Sequence, residues 1–247
     1  MFIFIILFTI VAILFIINLL NKSKLKKHFN NSNVIVFGKK GSGKDVIFNY
    51  ITNTKKKYYS NIPYTNKNYE IVVPNQLRLG DNTFENMLND SVSKCTWKFE
   101  EGVDFFFSDC GIYLPSQYDS ILHKKYKGLP LVYAVSRHLG NHNIHCNAQN
   151  LERIWKALRE QADIYIKCLK TIKLPFFLVV KYRTYDKYSS AVNDIRVTKG
   201  GLFSTSDTIK VQHANYGEIE EKFIILSKRK IKYDSRYFKQ VFIKEEE

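Results

Sequence analysis

The sequence predicts an α/β fold built on a mainly parallel sheet and preceded by one transmembrane helix. Three observations predict it: a 20-residue apolar segment at the N-terminus, short apolar runs that alternate with helical periods, and a glycine-rich loop after the first run. Strands alternating with helices of about 10–15 residues indicate parallel pairing, because parallel strands need a crossover connection. The 247 residues, 45% of them hydrophobic, exclude a disordered chain and a disulfide scaffold.

The N-terminal segment has the composition of a membrane anchor. Residues 1–20 contain no charge, and their only polar side chains are Thr9 and Asn18. At ~1.5 Å per residue, 20 helical residues span ~30 Å, the thickness of the hydrocarbon core of a bilayer. The segment lacks the basic start and the small-residue cleavage site of a signal peptide. Four lysines follow within residues 21–33, a basic juxtamembrane linker, so the positive-inside rule predicts a single-pass anchor with a cytoplasmic C-terminal domain.

Charge is distributed unevenly along the chain. The 38 Lys and Arg against 23 Asp and Glu give +15, with +9 in residues 1–60, −5 in residues 61–120 and +11 in residues 121–247. An acidic partner would therefore contact the membrane-proximal and C-terminal parts. Four cysteines without a Cys-x-x-Cys pair indicate free thiols in a reducing compartment.

The remaining elements follow one another in α/β order. Val34–Phe37 is wholly apolar, as expected of a strand buried on both faces. A core domain over residues 34–175 and a β-rich, basic C-terminal extension over residues 176–247, packed on that core, are predicted. The predicted strands are residues 34–37, 58–61, 103–108, 144–147, 162–168 and 176–185, and the predicted helices are residues 45–53, 117–126, 131–139 and 151–159.

The most specific motif lies directly after the first strand and fits G-x-x-x-x-G-K, a phosphate-binding loop. Its glycines let backbone N–H groups turn toward the β- and γ-phosphates, and the following helix presents its positive N-terminus. The alternative is a flexible turn without a ligand. The residues predicted to bind ATP are Gly38, Lys39, Lys40, Gly41, Ser42, Gly43, Lys44 and Asp45.

An apolar run that ends in an acid provides the second element of a nucleotide site. Asp109 follows such a run and is predicted to hold Mg²⁺. Asp45 stands where Ser or Thr normally offers a hydroxyl to Mg²⁺, and its carboxylate can bind the ion directly. Cys110 occupies the position where most hydrolysing relatives have a Glu that polarises the attacking water. The sequence therefore supports ATP binding more strongly than hydrolysis.

Beyond the loop, an ordered set of segments resembles the zonular occludens toxin-like proteins, the morphogenesis ATPases of filamentous phages. These segments are N-I-P at residues 61–63, R-H-x-G at residues 137–140, a strand ending in Gln149 and L-R at residues 158–159. The resemblance implies a RecA-like P-loop NTPase core. It also implies ATP-driven assembly and export of a virion through the host inner membrane. The phage proteins usually place their membrane segment after the ATPase domain, whereas here it precedes that domain.

The same resemblance suggests catalytic residues and partners. Gln149 would sense the γ-phosphate or position water, and Arg137 and Arg159 would reach the phosphates of a neighbouring subunit as arginine fingers. The alternatives are a strand cap for Gln149 and surface or ion-paired roles for the arginines. The implied partners are further copies of the chain in a homo-oligomeric ring, phage coat proteins and export-channel proteins.

The C-terminal part leaves a choice between two functions open. Residues 181–188 interleave Tyr with Lys and Arg, a pattern that can stack on and neutralise single-stranded DNA. The other reading is an edge strand or hairpin whose tyrosines cover the core. Three functions therefore compete: a phage-assembly ATPase, a DNA-translocating or packaging ATPase, and a nucleotide-binding scaffold that does not hydrolyse.

Overall fold

One eight-stranded sheet organises the structure, a computed structural model that describes residues 2–64, 68–77, 97–125, 129–192 and 221–231. The strands are β1 Val34–Phe37, β2 Tyr58–Ser60, β3 Tyr69–Ile71, β4 Asp104–Phe107, β5 Ile144–Ala148, β6 Ile164–Lys173, β7 Phe177–Tyr185 and β8 Lys222–Ser227. They lie in the order β3-β2-β4-β5-β1-β6-β7-β8. Neighbours from β3 to β6 are parallel, and β7 and β8 are antiparallel additions at one edge. The predicted fold class is confirmed.

Helices cover both faces of this sheet. Helix α1 is Phe2–Asn31 and helix α2 is Lys44–Thr52, and both pack on the face of β1 that carries Val34 and Val36. The opposite face, with Ile35 and Phe37, packs against the other helical layer. Burial of β1 on both faces accounts for its uninterrupted apolar run. The further helices are Cys110–Tyr113, Asp119–Lys125, Leu129–Gly140 and Lys156–Arg159, with 3₁₀ turns at Pro74–Gln76, Ser116–Tyr118, Leu151–Arg153 and Lys228–Lys230.

The helix predicted over residues 151–159 is interrupted. Asn150 caps the 3₁₀ turn Leu151–Arg153 by accepting a hydrogen bond from the Glu152 N–H at 3.1 Å, and a short helix resumes at Lys156–Arg159. Between them, Trp155 N–H donates to the Leu114 carbonyl at 2.9 Å. This hydrogen bond joins residues 41 positions apart, so the local spacing of apolar residues does not predict it. It interrupts the helix that this spacing predicts.

The predicted boundary at residue 175 falls inside the sheet. It lies in the turn between β6 and β7, whose strands pair over residues 165–185. Strand β8 then pairs along β7 from Phe177 to Tyr182. The described part of the predicted extension thus continues the core sheet, whereas residues 193–220 and 232–247 lie outside the described residues.

Helix α1 joins the predicted anchor and the predicted linker into one element. It continues without a break through residues 21–31, which were expected to form the linker. Four side chains at spacings of three or four residues are buried on one face: Asn18, Asn21, Leu25 and Phe29. The large apolar side chains of residues 4–17 are exposed. The second half of α1 is thus a core helix, and the whole helix is long and apolar enough to cross a membrane.

Two asparagines of α1 bind the backbone of β8, the outermost strand of the sheet within the described residues. Asn21 Nδ2 donates to the Phe223 carbonyl at 2.9 Å, and the Ile225 N–H donates to Asn18 Oδ1 at 2.8 Å. Strand β8 is the last strand in the order, so these backbone groups face away from β7. The asparagines therefore provide partners that an edge strand otherwise lacks.

Phe29 fixes the C-terminal end of α1 to the core. Its ring stacks on Phe106 at 6.2 Å between centroids, meets Phe48 edge-on at 6.1 Å and lies 4.8 Å from the His145 ring. Since these neighbours belong to β4, α2 and β5, one side chain joins α1 to three elements.

Replacing Phe29 with Ala will therefore lower the free energy of unfolding by about 3–5 kcal/mol, because a fully buried aromatic ring is lost. Thermal unfolding of the detergent-solubilised protein measures the change. Lys27→Ala, on the exposed side of the same helix, is the control and will leave the Tm nearly unchanged. Equal Tm values for Phe29→Ala and wild type would show that α1 does not pack on the sheet.

His145, the second residue of β5, is buried close to the ion pair of Asp104 and Lys55. Its ring is fully buried, and its Nε2 lies 4.0 Å from Asp104 Oδ2, which pairs with Lys55 Nζ at 2.5 Å. Burial, reinforced by the charge of Lys55 and opposed by that of Asp104, lowers the pKa of His145 to about 3. His145 is therefore neutral in the folded protein at ordinary pH.

The free energy of unfolding will fall at acid pH because of His145. In the unfolded chain His145 has a pKa of about 6.5, and in the folded chain its pKa is about 3. Between these two pH values His145 is therefore protonated in the unfolded chain and neutral in the folded chain. Between pH 6.5 and pH 5 this costs about 2 kcal/mol of unfolding free energy. The measurement compares the Tm of wild type with that of His145→Phe at pH 7 and pH 5. The Tm of His145→Phe relative to that of wild type will be higher at pH 5 than at pH 7. An equal Tm difference at both pH values would contradict the lowered pKa of His145.

Candidate phosphate-binding site

The loop between β1 and α2 has the backbone that a phosphate cradle needs. Gly38, Gly41 and Gly43 have φ values of 150°, 76° and 107°, in the region that favours glycine. A Cβ on Gly38 would overlap the Cys168 carbonyl oxygen of β6. The Gly38 N–H donates to the Ala148 carbonyl of β5 at 3.3 Å. Both strands that flank β1 therefore fix the start of the loop.

The end of the loop packs against the hairpin formed by β6 and β7. A Cβ on Gly43 would overlap Thr171 Oγ1 and lie 2.9 Å from Val180 Cγ1, whereas a Cβ on Gly41 would meet open space. Gly43 is therefore required for two reasons, its positive φ and its close approach to the hairpin.

The polar groups of the loop fit a phosphate. Lys44 is buried, and its Nζ lies 3.4 Å from the Lys39 carbonyl oxygen across the loop. Ser42 Oγ and Thr171 Oγ1 are buried hydroxyls for which the described part of the chain offers no hydrogen-bond partner. Buried hydroxyls need partners, and the oxygens of a phosphate held over the loop would provide them. The glycine backbone, the lysine and the two hydroxyls thus fit the predicted nucleotide.

Asn147 connects the two acids of the site. Strand β5 lies between β1 and β4, so Asn147 near its carboxyl end faces both neighbouring strand ends. Its Nδ2 donates to Asp45 Oδ1 at 2.9 Å, and its Oδ1 accepts from the Asp109 N–H at 2.9 Å. Ser108 Oγ donates to the same Asp45 oxygen at 3.2 Å. Asp45 is therefore held in place by groups from β5 and from the end of β4.

Asp109 lies close enough to Asp45 for the two charges to interact. Burial raises the pKa of the Asp109 carboxyl, the negative charge of Asp45 raises it further, and Lys44 partly opposes both effects. Asp109 also has a left-handed backbone, with φ 50° and ψ 44°. Two neighbouring carboxylates beside a phosphate cradle fit Mg²⁺, which binds one or two carboxylates together with phosphate oxygens.

Asn61 holds the end of β4 and gives a physical role to the N-I-P segment. Its Nδ2 donates to the Ser108 carbonyl at 2.8 Å, and the Ser108 N–H donates to Asn61 Oδ1 at 2.7 Å. Tyr64 and Ser108 share a hydrogen bond of 2.5 Å between their hydroxyls. The chain after β2 therefore fixes the backbone immediately before Asp109.

Sequence reasoning identified the phosphate loop and both acids, but it did not assign roles to Asn147, Ser108 or Asn61. A polar residue at the carboxyl end of a buried strand is the signal that could have found Asn147 and Ser108. Asn61 belongs to the N-I-P segment, for which the sequence indicated no chemical role.

Gln149 lies close to Asp109, and its predicted role toward the γ-phosphate stays a prediction. It directly follows β5 and lines a small cavity of about 50 Å³ together with Asp109, Ile112 and Arg153. Its side chain is exposed, which leaves it accessible to a bound molecule. Arg153 was not predicted and brings a basic side chain to the same cavity.

The two predicted arginine fingers are not brought to this site. Arg137 Nη2 bonds to the Asn31 carbonyl and lies 3.3 Å from Asp163 Oδ2, beside the start of β1 and away from the phosphate loop. Arg159 Nη1 donates to the Glu152 carbonyl at 2.8 Å, and its guanidinium lies over the Tyr188 ring. Within its own chain each arginine has a structural role, and action on a neighbouring copy stays a prediction.

Cys110 points away from the site. It is fully buried in the core, hydrogen-bonded to Cys146, and this bond together with burial raises the pKa of its thiol. A neutral buried thiol cannot act as the base that a Glu at this position would provide.

A glycine cradle between a buried strand and a helix, with an acid at the end of a second strand, defines a P-loop NTPase fold. No protein-family model matches the sequence, and a comparison with curated proteins found no match. Solved structures similar to this chain include the N-terminal domain of zonular occludens toxin from Neisseria meningitidis. That domain has 12% identity and a TM-score of 0.42, over 84% of this chain and 97% of that one.

The genome packaging NTPase of Sulfolobus turreted icosahedral virus 2 is also similar. Its complex with AMP has 12% identity and a TM-score of 0.38, over 65% of this chain and 94% of that one. Its complex with ATP-gammaS has 16% identity and the same TM-score of 0.38, with the same coverage of both chains. The family suggested by the ordered sequence segments is thus among the structural neighbours.

Gly43→Ala will weaken nucleotide binding at least tenfold, because the new methyl group overlaps Thr171 and displaces the loop. Gly102→Ala is the matched control: it also has a positive φ and enters open space, but it lies outside the loop, so it will cost only about 1 kcal/mol of backbone strain and leave nucleotide affinity unchanged. Titration with a fluorescent ATP analogue compares the two variants. Equal affinities would show that the hairpin does not constrain the loop.

Proposed function

We propose that this chain is a membrane-anchored P-loop ATPase that drives assembly and export of a filamentous virion through the host inner membrane. The observation that carries the nucleotide-binding part is the convergence of the glycine loop, Lys44, Asp45 and Asp109, bridged by Asn147, at one edge of the sheet. The ordered sequence segments support the phage-assembly part. We propose further copies of the chain, phage coat or export-channel proteins and single-stranded DNA as partners.

Different residues would bind the phosphates and the metal ion. The loop backbone and the N-terminus of α2 would hold the β- and γ-phosphates, and Lys44 would neutralise their charge. Asp45 and Asp109 would hold Mg²⁺, which when bound neutralises phosphate charge and supports phosphoryl transfer. Burial and, after it, the charge of Asp45 raise the pKa of Asp109, and binding of the cation would offset the repulsion between the two carboxylates.

Hydrolysis would depend on a residue other than Cys110, whose thiol is buried in the core. Gln149 would orient the attacking water, and its exposure beside Asp109 at the small cavity supports this role. The burial of Cys110 favours a second candidate function, a nucleotide-binding scaffold that does not hydrolyse ATP.

The anchor would place this domain on the membrane. Helix α1 is long and apolar enough to span a bilayer, and four lysines follow its apolar part. We propose that α1 crosses the membrane once, with the sheet on the cytoplasmic side, because basic residues are retained there.

Lys44→Ala in the full-length protein will weaken binding of a fluorescent ATP analogue at least tenfold, since a charge-assisted phosphate contact contributes about 1.5–3 kcal/mol. Lys56→Ala is the control, because Lys56 is an exposed lysine outside the loop and its loss will change affinity less than threefold. Unchanged affinity in Lys44→Ala would overturn the proposed site.

Phosphate release with Mg²⁺ and ATP is measured on the same proteins. Turnover that depends on Lys44 would establish an ATPase, and its stimulation by single-stranded DNA would favour the DNA-translocating alternative over virion assembly. Saturable binding without turnover would establish the scaffold instead.

A further inference from the structure

A cluster of exposed apolar side chains caps the hairpin formed by β6 and β7. The hairpin tip, residues 172–177, is closed by a hydrogen bond of 2.9 Å from the Leu174 N–H to the Phe177 carbonyl. Its apolar side chains are Ile172, Leu174, Phe176 and Phe177, and Phe176 is 71% exposed. Exposed aromatic and aliphatic side chains clustered at one tip indicate a surface that contacts another apolar phase.

The first half of α1 runs toward this tip. From Asn21 to Asn18 the helix contacts move along β8 from Phe223 to Ile225. Farther in the same direction, Ser227 pairs with Phe177. The part of α1 that leaves the domain therefore passes on the side of the hairpin tip.

The distance from the last helix contact to the tip is short. From Ile225 to Ser227 the strand advances ~7 Å, which equals the rise of about five helical residues. The Lys228 N–H then donates to the Phe176 carbonyl at 3.1 Å, which places the tip directly beyond β8. The tip is thus level with the apolar turns of α1 that precede Asn18, within residues 10–17 of the helix.

The apolar surface of α1 also extends past the beginning of its contact with β8. Leu19 and Leu20 are 49% and 57% exposed, although Asn18 and Asn21 on the opposite side of the helix already bind β8. If these leucines lie in the membrane, its surface is level with β8, and the hairpin tip lies beyond that surface.

The charges around the tip suit an anionic membrane. Lys170, Lys173 and Arg229 are exposed near the tip, and Lys228 is half-buried beside Phe176. Residues 164–181 and 222–231 contain no acidic residue. Basic side chains around an apolar tip bind lipid phosphates while the tip enters the headgroup region. The tip is level with the part of α1 that is proposed to enter the bilayer. A second copy of this chain would have to reach the tip at that level, so the lipid is favoured as the occupant.

We propose that the hairpin tip inserts into the cytoplasmic leaflet beside α1 and forms a second membrane contact. This rests on the proposed membrane anchoring by α1, and it adds a fixed orientation of the domain on the bilayer. A single helix leaves the attached domain free to tilt and rotate, whereas two contacts at separate points restrict both motions.

The test uses the full-length protein reconstituted into vesicles of phosphatidylcholine and phosphatidylglycerol, with or without bromine on the upper part of the acyl chains. Phe176→Trp places a fluorophore at the tip, and Ile121→Trp, 57% exposed on the helix Asp119–Lys125, is the matched control. Trp97 and Trp155 contribute the same background to both. Brominated lipid will quench Phe176→Trp more strongly than Ile121→Trp, and the emission maximum of Phe176→Trp will shift to the blue.

Flotation of the same vesicles separates the two proposals. If the protein floats but Phe176→Trp is quenched no more than Ile121→Trp, the tip proposal fails and the anchor remains. A blue shift without quenching would show that another protein surface covers the tip, which also overturns the proposal. Protein that does not float overturns both proposals. Leu174→Trp, 43% exposed at the same tip, replaces Phe176→Trp if that variant does not fold.

Discussion

The bridge made by Asn147 is the interaction on which the candidate site depends. One amide side chain holds the Asp45 carboxylate and the Asp109 backbone at the same time. It can do so only because β5 lies between the strand that leads into the phosphate loop and the strand that ends at Asp109. Strand order therefore brings together two acids that are far apart in the chain, and the charge of Asp45 adds to the effect of burial in raising the pKa of Asp109.

The hairpin of β6 and β7 connects the other parts of the molecule. Its inner part touches the phosphate loop through Thr171 and Val180, and the Gly38 start of the loop touches Cys168 on the same strand. Its outer part carries the apolar tip beside α1. In the proposed arrangement one rigid element contacts both the nucleotide and the lipid, so the nucleotide site has a fixed position relative to the membrane surface.

Helix α1 has an exposed apolar part and a part that is buried in the core. Its apolar first half has the length of an anchor, and its second half buries Leu25 and Phe29 in the core. The buried residues lie on one face, so the lysines between them remain on the solvent side of the same turns. One continuous helix therefore joins the core to the candidate membrane span, where the sequence predicted a linker.

Local sequence was sufficient for those features that depend on neighbouring residues. The apolar run of β1, the glycine loop and the acid after β4 are each contained in a few consecutive residues, and the structure places them as predicted. The same local patterns predicted the strand and helix alternation, and hence the mainly parallel sheet, because burial and periodicity act over a few residues.

Only the tertiary structure decided which distant residues meet. The partners of Asn147, the break of the helix near Trp155, the burial of Cys110 and the position of Arg137 at the far end of the sheet all depend on strand order and register. These contacts join residues tens of positions apart, and no local spacing contains that information. The sequence by itself therefore determined the elements and the chemistry of the loop, while packing determined which side chains share the site.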